Sequence, residues 1–137
     1  MNPTLLFRAL TLNGLFSGFS ALFMFIASGW LAAQLGLASP VAIYVVGGGL
    51  ALFALQLVNI VRTREIRIWE ITGIIGGDIA WVIASIIGMA LYHGSMTRTG
   101  LLLVDIVAAL VLLFAIMQML GLKQYLQQTG RQGSPSL

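Results

Sequence analysis

Apolar residues form long runs that only a few charged positions interrupt. The longest run holds 53 consecutive uncharged residues between Arg8 and Arg62. Because a helix needs about 20 apolar residues to cross roughly 30 Å of hydrocarbon, this run contains two crossings. Proline disfavours helix at the residue before it, so the turn between the crossings falls at 36–40. We therefore predict helices at about 12–35 and 41–61.

Two further apolar segments follow the charged stretch 62–70 and are separated by the turn 93–99. They predict helices at about 71–92 and 100–122, and no segment alternates with the period of two that is typical of strands. The pattern predicts an all-α membrane protein, a four-transmembrane-helix bundle within a domain of residues 1–126. The remaining residues, 127–137, are rich in Gln, Gly and Ser, which predicts a flexible C-terminal tail.

The composition agrees with a membrane protein. Of the 137 residues, 59% are hydrophobic and only 8% are charged, whereas soluble domains carry about 25% charged residues. The absence of cysteine and the single histidine exclude disulfides, thiol nucleophiles and clusters of metal-binding imidazoles. No nucleotide-binding loop or catalytic triad is present, so we expect no enzyme, no metal, no cofactor and no nucleic-acid partner.

The basic residues predict the orientation of the chain. With four crossings, only Arg98 falls on the side of the membrane opposite the termini. Basic residues concentrate in cytoplasmic segments, so both termini are predicted to be cytoplasmic in a multi-pass protein of the cell inner membrane. The six basic residues on the predicted cytoplasmic side are Arg8, Arg62, Arg64, Arg67, Lys123 and Arg131.

The two halves of the chain share a pattern of glycines. A shift of 59 residues places Gly14 on Gly73 and Gly18 on Gly77. This match predicts two tandem helical hairpins related as a parallel repeat, although chance matches of common small residues are an open alternative. Within each half the two glycines form a GxxxG segment, Gly14 with Gly18 and Gly73 with Gly77, and such segments allow close approach of another helix. We expect the first and third long helices to meet at the bundle centre, with a dimer face as the alternative.

Two aspartates lie inside predicted helices, at different depths. With a rise of 1.5 Å per residue, Asp78 lies about 12 Å from one end of its helix. Asp105 lies about 7–8 Å from the opposite surface. The two carboxylates are therefore too far apart to share a proton.

Three amide side chains share the predicted depth of Asp78. They are Asn13, Gln56 and Asn59, and Gln118 lies at a compatible depth. Ionisable residues within membrane spans often mark a pathway for protons or cations. Hydrogen bonds that hold helices together are the structural alternative. The candidate intramembrane polar site therefore comprises Asp78, Gln56, Asn59, Asn13 and Asp105.

The layout of four helices, together with three features of the second half, resembles that of small bacterial integral membrane proteins of unassigned function. The three features are Trp69-Glu70 at the start of the third long helix, the segment 78–81 (Asp-Ile-Ala-Trp), and Asp105 in the fourth. The resemblance covers the whole chain and implies the four-helix fold, but it implies no particular activity.

The leading functional hypothesis is a non-enzymatic accessory, assembly or scaffold component of the membrane. Its expected partners are the lipid bilayer and either further copies of the chain or a larger membrane complex. One alternative is a small proton- or cation-coupled transporter that uses Asp78. Another is a lipid-binding membrane protein that holds its ligand between the hairpins.

Overall fold

The structure, a computed structural model, describes residues 4–133 and forms five helices in this range, with no strand. Four of them are long and apolar enough to span a membrane, as in a multi-pass membrane protein. The predicted all-α four-helix fold is confirmed. The helices are α1 (Thr4–Ile26), α2 (Ser28–Gln34), α3 (Val41–Thr63), α4 (Ile68–Tyr92) and α5 (Arg98–Gly133).

The first span differs from the predicted helix 12–35. It begins at Thr4, so Arg8, which was expected to precede the helix, lies within its first turns. It is also interrupted at Ala27, whose φ of −108° and ψ of 28° depart from helical values. Backbone hydrogen bonds continue across the break, and Ser28-Gly29 follows it, a pair at which helices commonly kink. The short helix α2 therefore extends the same crossing.

The last helix is much longer than the predicted 100–122. It continues to Gly133, so residues 127–133 are helical where a flexible tail was predicted. Leu122 and Tyr125 pack against the hydrophobic core, and Thr129 donates a hydrogen bond to the carbonyl oxygen of Tyr125. Polar composition in this segment marks where the helix leaves the apolar layer, and not where the helix ends. Residues 134–137 lie outside the described range.

The helices pack as two hairpins joined along one seam. In the first hairpin α1 packs against α3, and in the second α4 packs against α5. The hairpins meet where α1 lies against α5. A two-fold axis between hairpins would pair α3 with α4 equally closely, but the backbones of these two helices make no close approach within residues 4–133. The α3–α4 side therefore differs from the α1–α5 seam, since it is held by side chains alone, such as Phe53 against Gly77, and we call it the open side of the bundle.

The glycines of α1 do not face α4, so the predicted close approach of the first and third long helices through these glycines is wrong, and the two helices meet through side chains only. A methyl group added at Gly14 would lie 3.3 Å from Cβ of Leu57 in α3. Gly18 likewise faces α3, whereas Gly73 has no neighbour within 4 Å among the described residues and Gly77 meets only the ring of Phe53. A stripe of small residues shows that a helix can be approached closely, but not which helix approaches it.

The two ends of the bundle are packed differently. We call the end that carries Arg8, Arg64 and Lys123 the basic end. A cluster of buried side chains fills the half of the bundle next to it, whereas the opposite half encloses a cavity. The members of the cluster are Leu6, Phe7, Leu10, Leu57, Ile60, Ile71, Ile74 and Ile75.

Candidate functional site

Three polar side chains from three helices meet in the middle of the bundle. Asn13 of α1 donates a hydrogen bond from Nδ2 to Oδ2 of Asp78 in α4, at 2.8 Å. Gln118 of α5 donates from Nε2 to the same oxygen, also at 2.8 Å. Asn13 also donates to Oε1 of Gln118 at 2.9 Å, which closes a triangle. We call Asn13, Asp78 and Gln118 the polar triad.

The polar triad is buried and connected to one further polar group. Asn13 is 1% exposed, Asp78 4% and Gln118 0%. Ser17, one turn after Asn13, donates a hydrogen bond to Oδ1 of Asn13 at 3.2 Å. Buried polar groups are costly without partners, and here each amide is bonded to at least one neighbour. The triad therefore links the two hairpins with directional contacts at one depth.

Only part of the predicted polar site is brought together. Asn13 and Asp78 meet as predicted, and Gln118 completes the group. Gln56 and Asn59 have the right depth, but they lie on the exposed face of α3. Asp105 is exposed on α5, away from the triad, and its side chain has no hydrogen bond or ion pair among the described residues. The depth along each helix was correct for Gln56 and Asn59, whereas the rotation of α3 about its axis was not foreseen.

A cavity of about 710 Å³ lies directly beside the polar triad, on the side away from the basic end. Its volume falls within the range of about 300–1,000 Å³ that is typical of small-molecule sites. Its wall is almost entirely aliphatic and aromatic, with Asp78 at the end nearest the buried cluster of the basic end. Representative lining residues are Phe16, Phe23, Leu31, Val46, Phe53, Leu103 and Val107.

Two polar atoms of α4 lack protein partners, and one of them, Oδ1 of Asp78, belongs to the cavity wall. Both amides of the triad bond to Oδ2 of Asp78, and Oδ1 accepts no hydrogen bond from the described residues. Trp81, one turn further along α4, also lines the cavity, and its buried Nε1 has no acceptor among the described residues. Trp81 is not among the predicted site residues, although its spacing of three from Asp78 places both on one helix face.

The far end of the cavity is lined by Leu31 of α2 and by Leu35, which follows this helix. The turn between α4 and α5 is bonded to the last residue of α2. The backbone N–H of Thr97 donates to the carbonyl oxygen of Gln34 at 2.9 Å, and its hydroxyl donates to Oε1 of Gln34 at 2.6 Å. These bonds fasten α2 to the second hairpin. On the side between α3 and α4, by contrast, the backbones of the two helices are not in contact beside the cavity.

The arrangement can hold an elongated apolar molecule that carries one small polar group. The wall offers dispersion contacts along most of its length, while Asp78 Oδ1 can accept a hydrogen bond. A hydroxyl group can donate this hydrogen bond. Within the described residues, no group of His, Asp and Glu could hold a metal ion.

Comparison of the chain with protein-family models, curated proteins and solved structures finds no match.

Proposed function

We propose that this protein binds a lipophilic alcohol, a molecule with a long apolar body and a hydroxyl head, inside the membrane. The observation that carries the proposal is the apolar cavity with Oδ1 of Asp78 at its wall, where it accepts no hydrogen bond from the described residues. The hydroxyl would donate to this oxygen. The apolar body would extend along the cavity toward α2. This develops the lipid-binding alternative of the sequence analysis.

The open side of the bundle supports entry from the lipid. Because α3 and α4 are not packed together along their backbones, the ligand passes between them without leaving the hydrocarbon. The opposite route, toward water at the basic end, runs through buried side chains such as Leu57, Ile60 and Ile71. This packing favours binding of a membrane-dissolved ligand over transport of a proton or cation by Asp78. The accessory or assembly role remains a prediction.

We also propose that the protein lies in the cell inner membrane with both termini in the cytoplasm. The support is the distribution of basic residues, because Arg8, Arg64 and Lys123 occur at the same end of the bundle as the start of α1. The cavity then lies at the level of the outer leaflet. The proposed ligand would enter from that leaflet.

The test compares two probes that differ only in the ability to donate a hydrogen bond. They are a brominated 16-carbon alcohol and its methyl ether, titrated into protein in nanodiscs. Trp81 reports binding, because bromine quenches its fluorescence once Trp30 and Trp69 are replaced by Phe. We expect the alcohol to bind at least about tenfold more tightly than the ether, since a hydrogen bond to a charged group contributes about 1.5–3 kcal/mol.

The variant Asp78→Asn supplies the decisive comparison. The single carboxamide oxygen is taken by the amides of Asn13 and Gln118, so the group facing the cavity becomes an NH₂ donor. The preference for the alcohol over the ether should then fall to about twofold or less, while the shape of the cavity is kept. An unchanged preference in Asp78→Asn, or equal binding of both probes to the original protein, would refute the proposal.

A further inference from the structure

A second recess lies at the basic end, between the first turns of α1 and the last turn of α3. Its volume is about 520 Å³. Arg8 and Arg64 stand on its rim, and apolar side chains of Phe7, Leu12 and Val61 form much of its wall. We call it the arginine recess. It is separate from the cavity at the polar triad, since the two share no lining residue.

Both arginines of the recess are available to a ligand. The ion pair found among the described residues joins Arg67 to Glu65 at 3.3 Å, and no acidic side chain pairs with Arg8 or Arg64. Neither guanidinium donates a hydrogen bond to another described residue. Each guanidinium carries five N–H donors in a planar fork, a geometry that fits phosphate oxygens.

The backbone conformation of Arg64 and its contact with Phe7 place its side chain at the arginine recess. Its φ of 56° lies in the left-handed region, which is uncommon for a residue other than glycine. Its N–H closes the end of α3 by donating to the carbonyl oxygen of Ile60 at 2.9 Å. The guanidinium carbon lies 4.9 Å from the centre of the Phe7 ring. A guanidinium stacked by one face on an aromatic ring keeps the N–H groups on its edges free.

We propose that the arginine recess binds the phosphate group of an anionic membrane lipid. The two guanidinium groups neutralise the phosphate, and the apolar wall formed by Phe7, Leu12 and Val61 receives the start of an acyl chain. The same phosphate chemistry occurs in free inorganic phosphate, but a free ion makes no use of an apolar wall. The recess also lies at the depth of lipid headgroups, where α1 begins and α3 ends.

The test measures lipid retention by native mass spectrometry of protein transferred from nanodiscs of phosphatidylcholine with increasing phosphatidylglycerol. The double variant Arg8→Gln/Arg64→Gln removes both groups of the recess. The matched control Arg62→Gln/Lys123→Gln removes the same charge from exposed positions at the same end that do not line the recess. A parallel titration with inorganic phosphate separates a lipid site from an ion site.

We expect the recess variant to bind phosphatidylglycerol at least about tenfold more weakly than the control variant, because charge-assisted hydrogen bonds are lost only there. Inorganic phosphate at millimolar concentration should leave lipid retention unchanged. Arg8→Gln alone should show about half of the loss on a logarithmic scale, which guards against misfolding caused by the change at Arg64. Equal losses in both double variants, or displacement of the lipid by inorganic phosphate, would overturn the proposal.

Discussion

Asp78 is the charged residue at the buried centre of the bundle, and its hydrogen bonds connect the helices there. A carboxylate within a membrane span costs about 2.5–3.5 kcal/mol on insertion scales. The structure offsets this cost by directing two amide donors, from Asn13 and Gln118, at one oxygen. The other oxygen remains at the cavity wall without a protein partner. The same residue therefore joins the hairpins and leaves an acceptor at the cavity wall.

Removing Gln118 should weaken the folded state measurably. Gln118→Leu deletes a donor to Asp78 and an acceptor of Asn13, so both buried groups lose a partner. We expect the free energy of unfolding to fall by about 1–3 kcal/mol. Unfolding in mixed micelles by increasing sodium dodecyl sulfate measures the change.

The same substitution at Gln56 is the control. Gln56 is exposed on α3, and its side chain has no hydrogen bond among the described residues. Gln56→Leu should therefore leave the free energy of unfolding unchanged or raise it. Equal destabilisation by the two substitutions would show that the triad contributes nothing specific.

The sequence could predict which polar residues share a depth, but not which share a face of the bundle. Charge-free runs set the ends of each span, and the constant helical rise then gives depth, which correctly grouped Asn13, Asp78 and Gln118. Gln56 and Asn59 pass the same test and still lie outside the cluster. Their direction depends on how α3 is rotated by its packing against α1, and that packing depends on shape along the whole helix.

Helix α5 packs against α1, between the two hairpins, at Gly121, a position where only glycine fits. A methyl group added to Gly121 would lie 2.6 Å from Cα and 2.7 Å from the backbone nitrogen of Leu6 in α1. The obstacle is backbone, so no side-chain rotation can relieve it. The close approach of α1 and α5 therefore depends on this glycine, which the GxxxG analysis did not select.

Gly121→Ala should force α1 and α5 apart. We expect a loss of about 1–3 kcal/mol in the free energy of unfolding, as for other overpacked positions. Gly73→Ala is the matched control, since its added methyl group meets nothing within 4 Å among the described residues. The control should be neutral or gain up to about 1 kcal/mol from helix propensity. The opposite ranking of the two variants would contradict the packing described for the seam.

Among the features of the individual helices, their ends were the least predictable from the sequence. Arg8 and the polar residues after Leu122 were interpreted as boundaries, yet α1 and α5 continue through them. Hydropathy reports where a segment leaves the hydrocarbon. It does not report where the helix ends, since α5 continues past Leu122, and both Leu122 and Tyr125 pack against the core.

The molecule as a whole is solid in one half and hollow in the other. Buried aliphatic side chains fill the half at the basic end, and the polar triad separates them from the cavity. The sequence predicted neither the cavity nor the open side between α3 and α4, because both arise from the unequal seams between the hairpins. The hydrophobic pattern of each span is the same whether its neighbour is a helix or a lipid.

Filling the cavity from α3 should block the proposed ligand without affecting folding. Gly49 lines the cavity, and a Cβ at this position meets no atom within 4 Å among the described residues. The added side chain of Gly49→Leu displaces about two methylene groups of the ligand. Since each is worth about 0.8 kcal/mol, we expect the alcohol to bind about tenfold more weakly in the fluorescence titration.

Gly48→Leu provides the comparison for this effect. Gly48 is the neighbouring residue on α3, it does not line the cavity, and its added Cβ is equally unobstructed. Its affinity for the alcohol should match that of the original protein. If both variants bind equally well, the ligand does not occupy the cavity.

The single seam between the hairpins has a consequence for selectivity. If α3 and α4 separate or approach by a small rotation about the α1–α5 contact, atoms move in proportion to their distance from that line. The triad includes Asn13 and Gln118 on the two helices of the seam, so it acts near the pivot and moves little. The lipid-facing edge of the cavity moves most. With this motion, the proposed site would recognise the hydroxyl head of its ligand strictly and would tolerate apolar bodies of different width and length.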